Sequence, residues 1–261
     1  MTNRLERFFG ESRRTGRKAL VVYICAGDPD LATTERLVPK LAAAGADVIE
    51  LGVPFSDPLA DGPTIQAASQ RALAAGTTLS GVLELVRRLR RSGCDVPLVL
   101  FGYMNPIVRM GLAPFVAEAA EAGADGLLVP DLPLEESLPL GELAQARELS
   151  LVLLAAPTTP PARLRAIGQA TRGFLYFVSV TGVTGARAAL PEDLPAKLAE
   201  VRAATGVPVA VGFGISTEEQ AKGLAAHADA VVVGSALVDA LHRGGEDEGV
   251  ALVRRLAGAV H

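Results

Sequence analysis

The sequence predicts an α/β fold, a single (β/α)8 TIM barrel, on three observations. Eight short apolar runs recur along the 261 residues. Segments rich in Ala, Leu, Arg and Glu with helical spacing separate them. One helix-to-strand turn is repeated in three of the units. Eight strand–helix units in roughly 250 residues is the size of such a barrel.

The runs, in order, are LVVYICAG (20–27), DVIELGVP (47–54), VPLVLFGYM (96–104), GLLVPDLP (126–133), LVLLAAP (151–157), FLYFVSV (174–180), VPVAVGFGI (207–215) and AVVVGSAL (230–237). They are Val-, Leu- and Ile-rich without polar alternation, as parallel strands covered on both faces should be. Leu37, Leu41 and Ala44 fall on one helical face after the first run, and Leu83, Val86 and Leu89 before the third. The repeat reads AAGADVIELGVP, EAGADGLLVPDLP and AAHADAVVVGSAL. Gly45 and Gly123 suit helix C-caps, where a residue without Cβ tolerates positive φ. The stretch from Pro54 to Ser80 exceeds a simple βα connection, so it is expected to hold a functional loop and an extra helix. A second extra helix is expected after the eighth strand, where GSAL opens. No low-complexity linker divides the chain, which reads as one domain over residues 1–261. The alternative for the same alternation is an open doubly wound sheet.

Composition narrows the function classes. The chain carries 25 basic and 29 acidic residues, a net charge of −4. It has no Lys/Arg stripe and no aromatic–basic interleaving, which argues against nucleic acid as a partner. Cys25 and Cys94 have no CxxC spacing and suit a reducing cytoplasm. His227, His242 and His261 are scattered, so no zinc signature is present. The charged N-terminus lacks an apolar signal region, and no uncharged run is long enough to span a bilayer.

In a barrel, function sits at the C-terminal strand ends. The second strand ends ELGVPFSDPLADGP, which gathers Glu50, Asp57 and Asp61. If Val48 and Glu50 point into the barrel, the Glu50 carboxylate is desolvated and its pKa rises toward the acid–base range. A structurally satisfied buried carboxylate fits the same pattern equally well. Asp61 precedes Gly62-Pro63, where an N-cap of the next helix is the favoured reading from the residues alone. Asp57 reads as a solvated loop residue, and Asp131 in PDLP is similarly ambiguous. Cys25 reads as a small apolar strand residue. Tyr103 and Tyr176 read as core residues with a polar tip at the pocket rim.

The sixth, seventh and eighth strand ends read as an anion site. Thr184 and Gly185 lie in VTG. Gly212 and Gly214 lie in GFGIS before a helix capped by Ser216 or Thr217. Gly234 and Ser235 open a further helix. Glycines let backbone N–H groups approach a phosphate, and the helix dipole favours its charge. Tight βα turns would use the same glycines, but three such groups at adjacent strand ends favour phosphate.

ELGVPFSDPLADGPTIQ (50–66) closely resembles the signature of tryptophan synthase alpha subunits. The resemblance runs along nearly the whole chain, through AGDPD (26–30), YMNPI (103–107), GLLVPDLPLEE (126–136), GVTGAR (182–187), GFGIS (212–216) and GSALV (234–238). It implies retro-aldol cleavage of indole-3-glycerol phosphate to indole and glyceraldehyde 3-phosphate. By resemblance, Glu50 is the general acid–base that protonates indole C3, and Asp61 holds the indole N–H. Gly185, Gly214, Gly234 and Ser235 match phosphate positions. Tyr176 and Phe213 match positions beside the indole or glycerol, and Thr184 matches a loop residue that reaches the catalytic aspartate. Pro54 and Asp57 match the partner interface. The partner implied is a pyridoxal-phosphate-dependent beta subunit in an α2β2 complex, with indole passed between subunits and no cofactor in this chain.

Departures from the family pattern are Cys25, the residue before Tyr103, and SVTGVTG in the sixth loop. None touches Glu50 or Asp61. Other readings are a stand-alone lyase of the same lineage, a different phosphate barrel, and a catalytically silent activator of a beta-like partner. The Glu50-to-Asp61 motif argues against the second, and the intact carboxylate pair against the third.

Overall fold

The computed structural model describes residues 2–178, 193–212 and 214–261. Its elements run α1 (Arg4–Thr15), β1 (Ala19–Cys25), α2 (Leu31–Ala43), β2 (Val48–Gly52), α3 (Pro63–Ala74), α4 (Leu79–Arg91), β3 (Leu98–Phe101), α5 (Met104–Met110), α6 (Leu112–Ala122), β4 (Gly126–Leu128), α7 (Leu138–Ala146), β5 (Ser150–Val152), β6 (Leu154–Ala155), α8 (Pro161–Ala170), β7 (Leu175–Val178), α9 (Leu194–Thr205), β8 (Val209–Gly212), α10 (Glu218–Ala225), β9 (Ala230–Val233) and α11 (Ser235–Val260). Every strand pairing is parallel, in the order β5-β4-β3-β2-β1-β9-β8-β7-β6.

The two ends of that order are consecutive pieces of one extended segment. β5 pairs with β4, and β6 pairs with β7. Between the two, the Arg172 N–H donates to the Leu151 carbonyl at 2.9 Å and the Tyr176 N–H to the Leu153 carbonyl at 3.0 Å. The fifth expected strand therefore passes from one neighbour to the other and closes the barrel, which excludes the open sheet.

Alternation along the strands sorts two layers. Val21, Val48, Val99, Leu128, Val152, Ala210 and Val232 pack inside the barrel. Val22, Ile49, Leu51, Leu100 and Leu127 pack outward against the helices. The interior is completed by α1, whose Leu5 and Phe9 are buried within it. Asn3 caps this helix by accepting from the Glu6 N–H.

The repeated Ala-Asp turns have a shared job at the N-terminal end of the barrel. Asp47 accepts from the Leu20 N–H at 2.8 Å, Asp125 from the Leu98 N–H at 2.8 Å, and Asp229 from the Val209 N–H at 2.9 Å. Each carboxylate also meets an arginine: Arg17, Arg90 and Arg202 respectively. An N–H in the first two residues of a strand is thus satisfied by the turn that opens the next strand in the barrel wall, as buried donors require.

The helix expected after the second strand is present as α3. The one expected after the eighth strand is the first part of α11, which breaks at Gly245 (φ 74°, ψ −167°). Two helices were not expected from the sequence. α1 is one. The other is α5, which follows β3 directly. Both Asp131 carboxylate oxygens accept from the Met104 N–H, at 3.0 and 3.2 Å. That gives Asp131 a helix-capping role.

Candidate active site at the C-terminal mouth of the barrel

β2 carries Glu50 in register with Tyr23 of β1 and Val99 of β3. Val48 lies inside the barrel two residues before it, so Glu50 shares the inward phase. The side chain is 1% exposed, and its Oε1 has no hydrogen-bond partner. Burial alone pushes the carboxyl up to about 8. With no donor on that oxygen to stabilise the anion, desolvation favours the neutral acid.

Asp61 sits in the loop after β2. The Tyr103 hydroxyl, at the end of β3, donates to its Oδ2 at 2.9 Å and accepts from the Ala60 N–H at 3.1 Å. Phe55 stacks on the Tyr103 ring with centroids 5.2 Å apart. Gln66, one turn into α3, donates to the Asp61 carbonyl at 2.8 Å. Burial raises the Asp61 carboxyl to about 6 against the opposing Tyr103 hydrogen bond. The helix-cap reading of Asp61 is corrected here. The N-cap of α3 is Gly62, with no side-chain cap bond, and Pro63 follows as the first helical residue. Asp61 therefore stands one residue outside the cap, and its carboxylate turns to Tyr103 and the mouth of the barrel.

Glu50 and Asp61 open into one cavity of about 240 Å³. Tyr176 of β7 lines the same cavity, as do Gly214, Gly234 and Ser235. Gly234 is the N-cap of α11 and brings no side-chain cap, so the first N–H groups of that helix lack a side-chain acceptor at the cap. α10 differs: Thr217 and Gln220 form a capping box that takes its first donors. Thr217, rather than Ser216, is therefore the cap of α10. The start of α11 is the stronger place for an anion. Thr184, Gly185 and Phe213 lie outside the described residues. In the loop after β2, Pro54 is buried, Asp57 is exposed and hydrogen-bonded to Ser56, and Leu59 is 91% exposed.

Tyr103 is the site residue that reading by motif underrates, since a Tyr at a strand end reads as core. Its signal was position: YMNP ends the strand beside the one carrying Glu50. Among the described residues, no group of three His, Cys, Asp or Glu side chains is placed to hold a metal ion, and no helix is long and apolar enough to cross a membrane.

A parallel barrel with two carboxylates of unequal, raised pKa at its C-terminal mouth is the architecture of a barrel enzyme built for proton transfer. The family model described as tryptophan synthase alpha chain matches residues 9–259. The alpha chain of Pelobacter propionicus is 55% identical over 94% of this chain and 92% of its own length. That of Geobacter sulfurreducens is 54% identical over 92% and 91%. The solved alpha subunit from Legionella pneumophila superposes with a TM-score of 0.92 at 38% identity, covering 100% of this chain and 99% of that one. A Mycobacterium tuberculosis tryptophan synthase chain gives 0.91 at 38%, with the same coverage. The chain belongs to the tryptophan synthase alpha chain family. It is a carbon–carbon lyase acting on indole-3-glycerol phosphate.

Proposed function

We propose that Glu50 and Asp61 divide the chemistry of this cleavage. Glu50, held neutral near pH 7 by burial, delivers its proton to indole C3. Asp61, largely ionised at the same pH, accepts a hydrogen bond from the indole N–H and stabilises the positive charge that C3 protonation places on the ring. The charged ring draws the electrons of the bond between C3 and the carbinol carbon. That carbinol loses its hydroxyl proton and becomes the aldehyde of glyceraldehyde 3-phosphate. Glu50, now a carboxylate of raised pKa, is the base within reach for that proton, which restores its starting state. The phosphate rests on Gly214 and on Gly234 and Ser235 at the start of α11, with Gly185 contributing from the sixth loop; Thr184 of that loop reaches Asp61, and Tyr176 and Phe213 flank the organic part of the substrate. The observation that carries this reading is the unpartnered, buried Oε1 of Glu50 in the same cavity as Asp61.

The partner is a tryptophan synthase beta subunit, in an α2β2 complex, and the loop after β2 is its docking element. Asp57 and Leu59 offer the exposed surface, while buried Pro54 shapes the loop beneath them. Pyridoxal phosphate belongs to that partner, and this chain works without a cofactor. The setting is the cytoplasm. Indole release from indole-3-glycerol phosphate, measured for the purified chain alone and with added beta subunit, tests the assignment. Slow release that rises strongly with beta supports it. Fast release by the chain alone favours a stand-alone lyase, and no release in either condition refutes the cleavage.

A further inference from the structure

Tyr23 projects into the cavity from β1. It is 7% exposed and lies in register with Glu50. Its ring packs edge-on against Phe101, with centroids 5.3 Å apart. The base of the ring lies at Gly234, where a built Cβ would stand 3.5 Å from the Tyr23 Cβ. The far end lies over Gly52, where a built Cβ would come within 2.1 Å of the hydroxyl oxygen. The side chain therefore runs from the α11 anion site toward the end of β2, along the wall a substrate spanning the two must follow. No hydrogen bond among the described residues engages its hydroxyl. Burial, with Cys25, Asp61, Tyr103 and Glu50 nearby, raises its pKa well above the usual phenol range. The group is thus a fixed hydrogen-bond donor.

The chemistry of the substrate then restricts what this donor meets. Indole carries an N–H but no good acceptor, and the charged Asp61 outcompetes a phenol for that N–H. The phosphate is held at the opposite end of the Tyr23 ring. Only the glycerol oxygens remain. We infer that Tyr23 is a substrate-binding and specificity-determining residue whose hydroxyl donates to a glycerol oxygen of indole-3-glycerol phosphate, on the Glu50 side of the cavity. A substrate analogue without glycerol hydroxyls loses this bond and leaves the phenol unpaired, so the contact selects the hydroxylated side chain over a plain alkyl phosphate.

This inference rests on the proposed cleavage reading, and Tyr23→Phe separates the two, because it keeps the ring and its packing on Phe101. The wild-type chain with beta subunit must first release indole, and failure there refutes the cleavage reading itself. With that control satisfied, the reverse condensation of indole with glyceraldehyde 3-phosphate is run on both proteins. Loss of one neutral hydrogen bond predicts a rise of about five- to tenfold in KM for glyceraldehyde 3-phosphate. KM for indole stays unchanged, because indole lacks the oxygens. Affinity for indolepropanol phosphate, which has no glycerol hydroxyl, also stays unchanged. An unchanged KM for glyceraldehyde 3-phosphate, or parallel rises for both reactants, overturns the inference.

Discussion

Glu50 and Asp61 are both buried carboxylates, yet their surroundings set them apart. Glu50 has an orphan oxygen, and its carboxyl rises to about 8; Asp61 has the Tyr103 hydroxyl and reaches only about 6. One proton donor and one anion therefore coexist between those values. A pH profile of kcat/KM for indole release should be bell-shaped, falling below about 6 as Asp61 protonates and above about 8 as Glu50 ionises. A profile flat through pH 9 would contradict the role of Glu50. Glu50→Gln should lower kcat by about 10²- to 10⁴-fold. The same substitution should stabilise the fold in a pH-dependent way. The folded-state pKa of Glu50 lies above its unfolded value, so the wild type loses stability as pH rises from about 4.3 toward 8. The mutant lacks this loss, so its advantage in thermal unfolding should grow across that window and level off above it. Tyr103→Phe removes the one side-chain donor among the described residues that opposes the burial of Asp61. Its acidic limb should move to higher pH, with the basic limb in place.

At the scale of elements, the mouth of the barrel is shaped by strand ends that give up side-chain volume. Gly212 of β8 lets the Tyr176 hydroxyl come within 2.1 Å of where a Cβ would stand, which only a residue without Cβ permits. Gly212→Ala should displace the Tyr176 ring into the cavity and raise KM for indole-3-glycerol phosphate by about tenfold, while circular dichroism still reports a folded barrel; an unchanged KM would show that Tyr176 does not border the bound substrate. These strands were legible because their apolar runs are nearly continuous; period-2 alternation puts Glu50 on the face of Val48, and the packing of Val48 inside the barrel makes that face the inward one. Other elements were not legible. α1 is charged at half of its positions and buries only Leu5, Phe9 and Ser12, so its docking under the barrel depends on contacts far along the chain. α5 starts without a cap of its own and borrows Asp131 from the next loop. Asp61 misled because a carboxylate before Gly-Pro is locally a good cap, and the competing partner, Tyr103, is 42 residues away.

Over the whole molecule, two ends of one barrel carry opposite electrostatic designs. At the mouth, carboxylates are buried with too few donors, which costs stability and yields reactive groups. At the other end, the Asp of each repeat is saturated. Asp125 is the clearest case: 0% exposed, it accepts from the Leu98 N–H, from Arg90 at 2.6 Å and from Arg4 at 3.2 Å. Arg90 also donates to the carbonyls of Gly123, Cys94 and Val96, so one guanidinium ties the α4–β3 turn to the α6–β4 turn. Removing it leaves a buried carboxylate with only the more exposed Arg4 as counter-charge. Arg90→Ala should therefore cost about 3 kcal/mol of unfolding free energy, the range for breaking a buried ion pair on one side. The cost should fall on folding alone. Glu50 and Asp61 are held by the C-terminal ends of the strands and their loops, while Arg90 acts at the N-terminal ends. Urea unfolding should show an earlier midpoint, and kcat and KM for indole release, measured where the variant is fully folded, should match the wild type. A variant as stable as wild type would deny the Asp–Arg clamps their structural role, and one that folds normally but cleaves slowly would show that the two ends of the barrel are coupled.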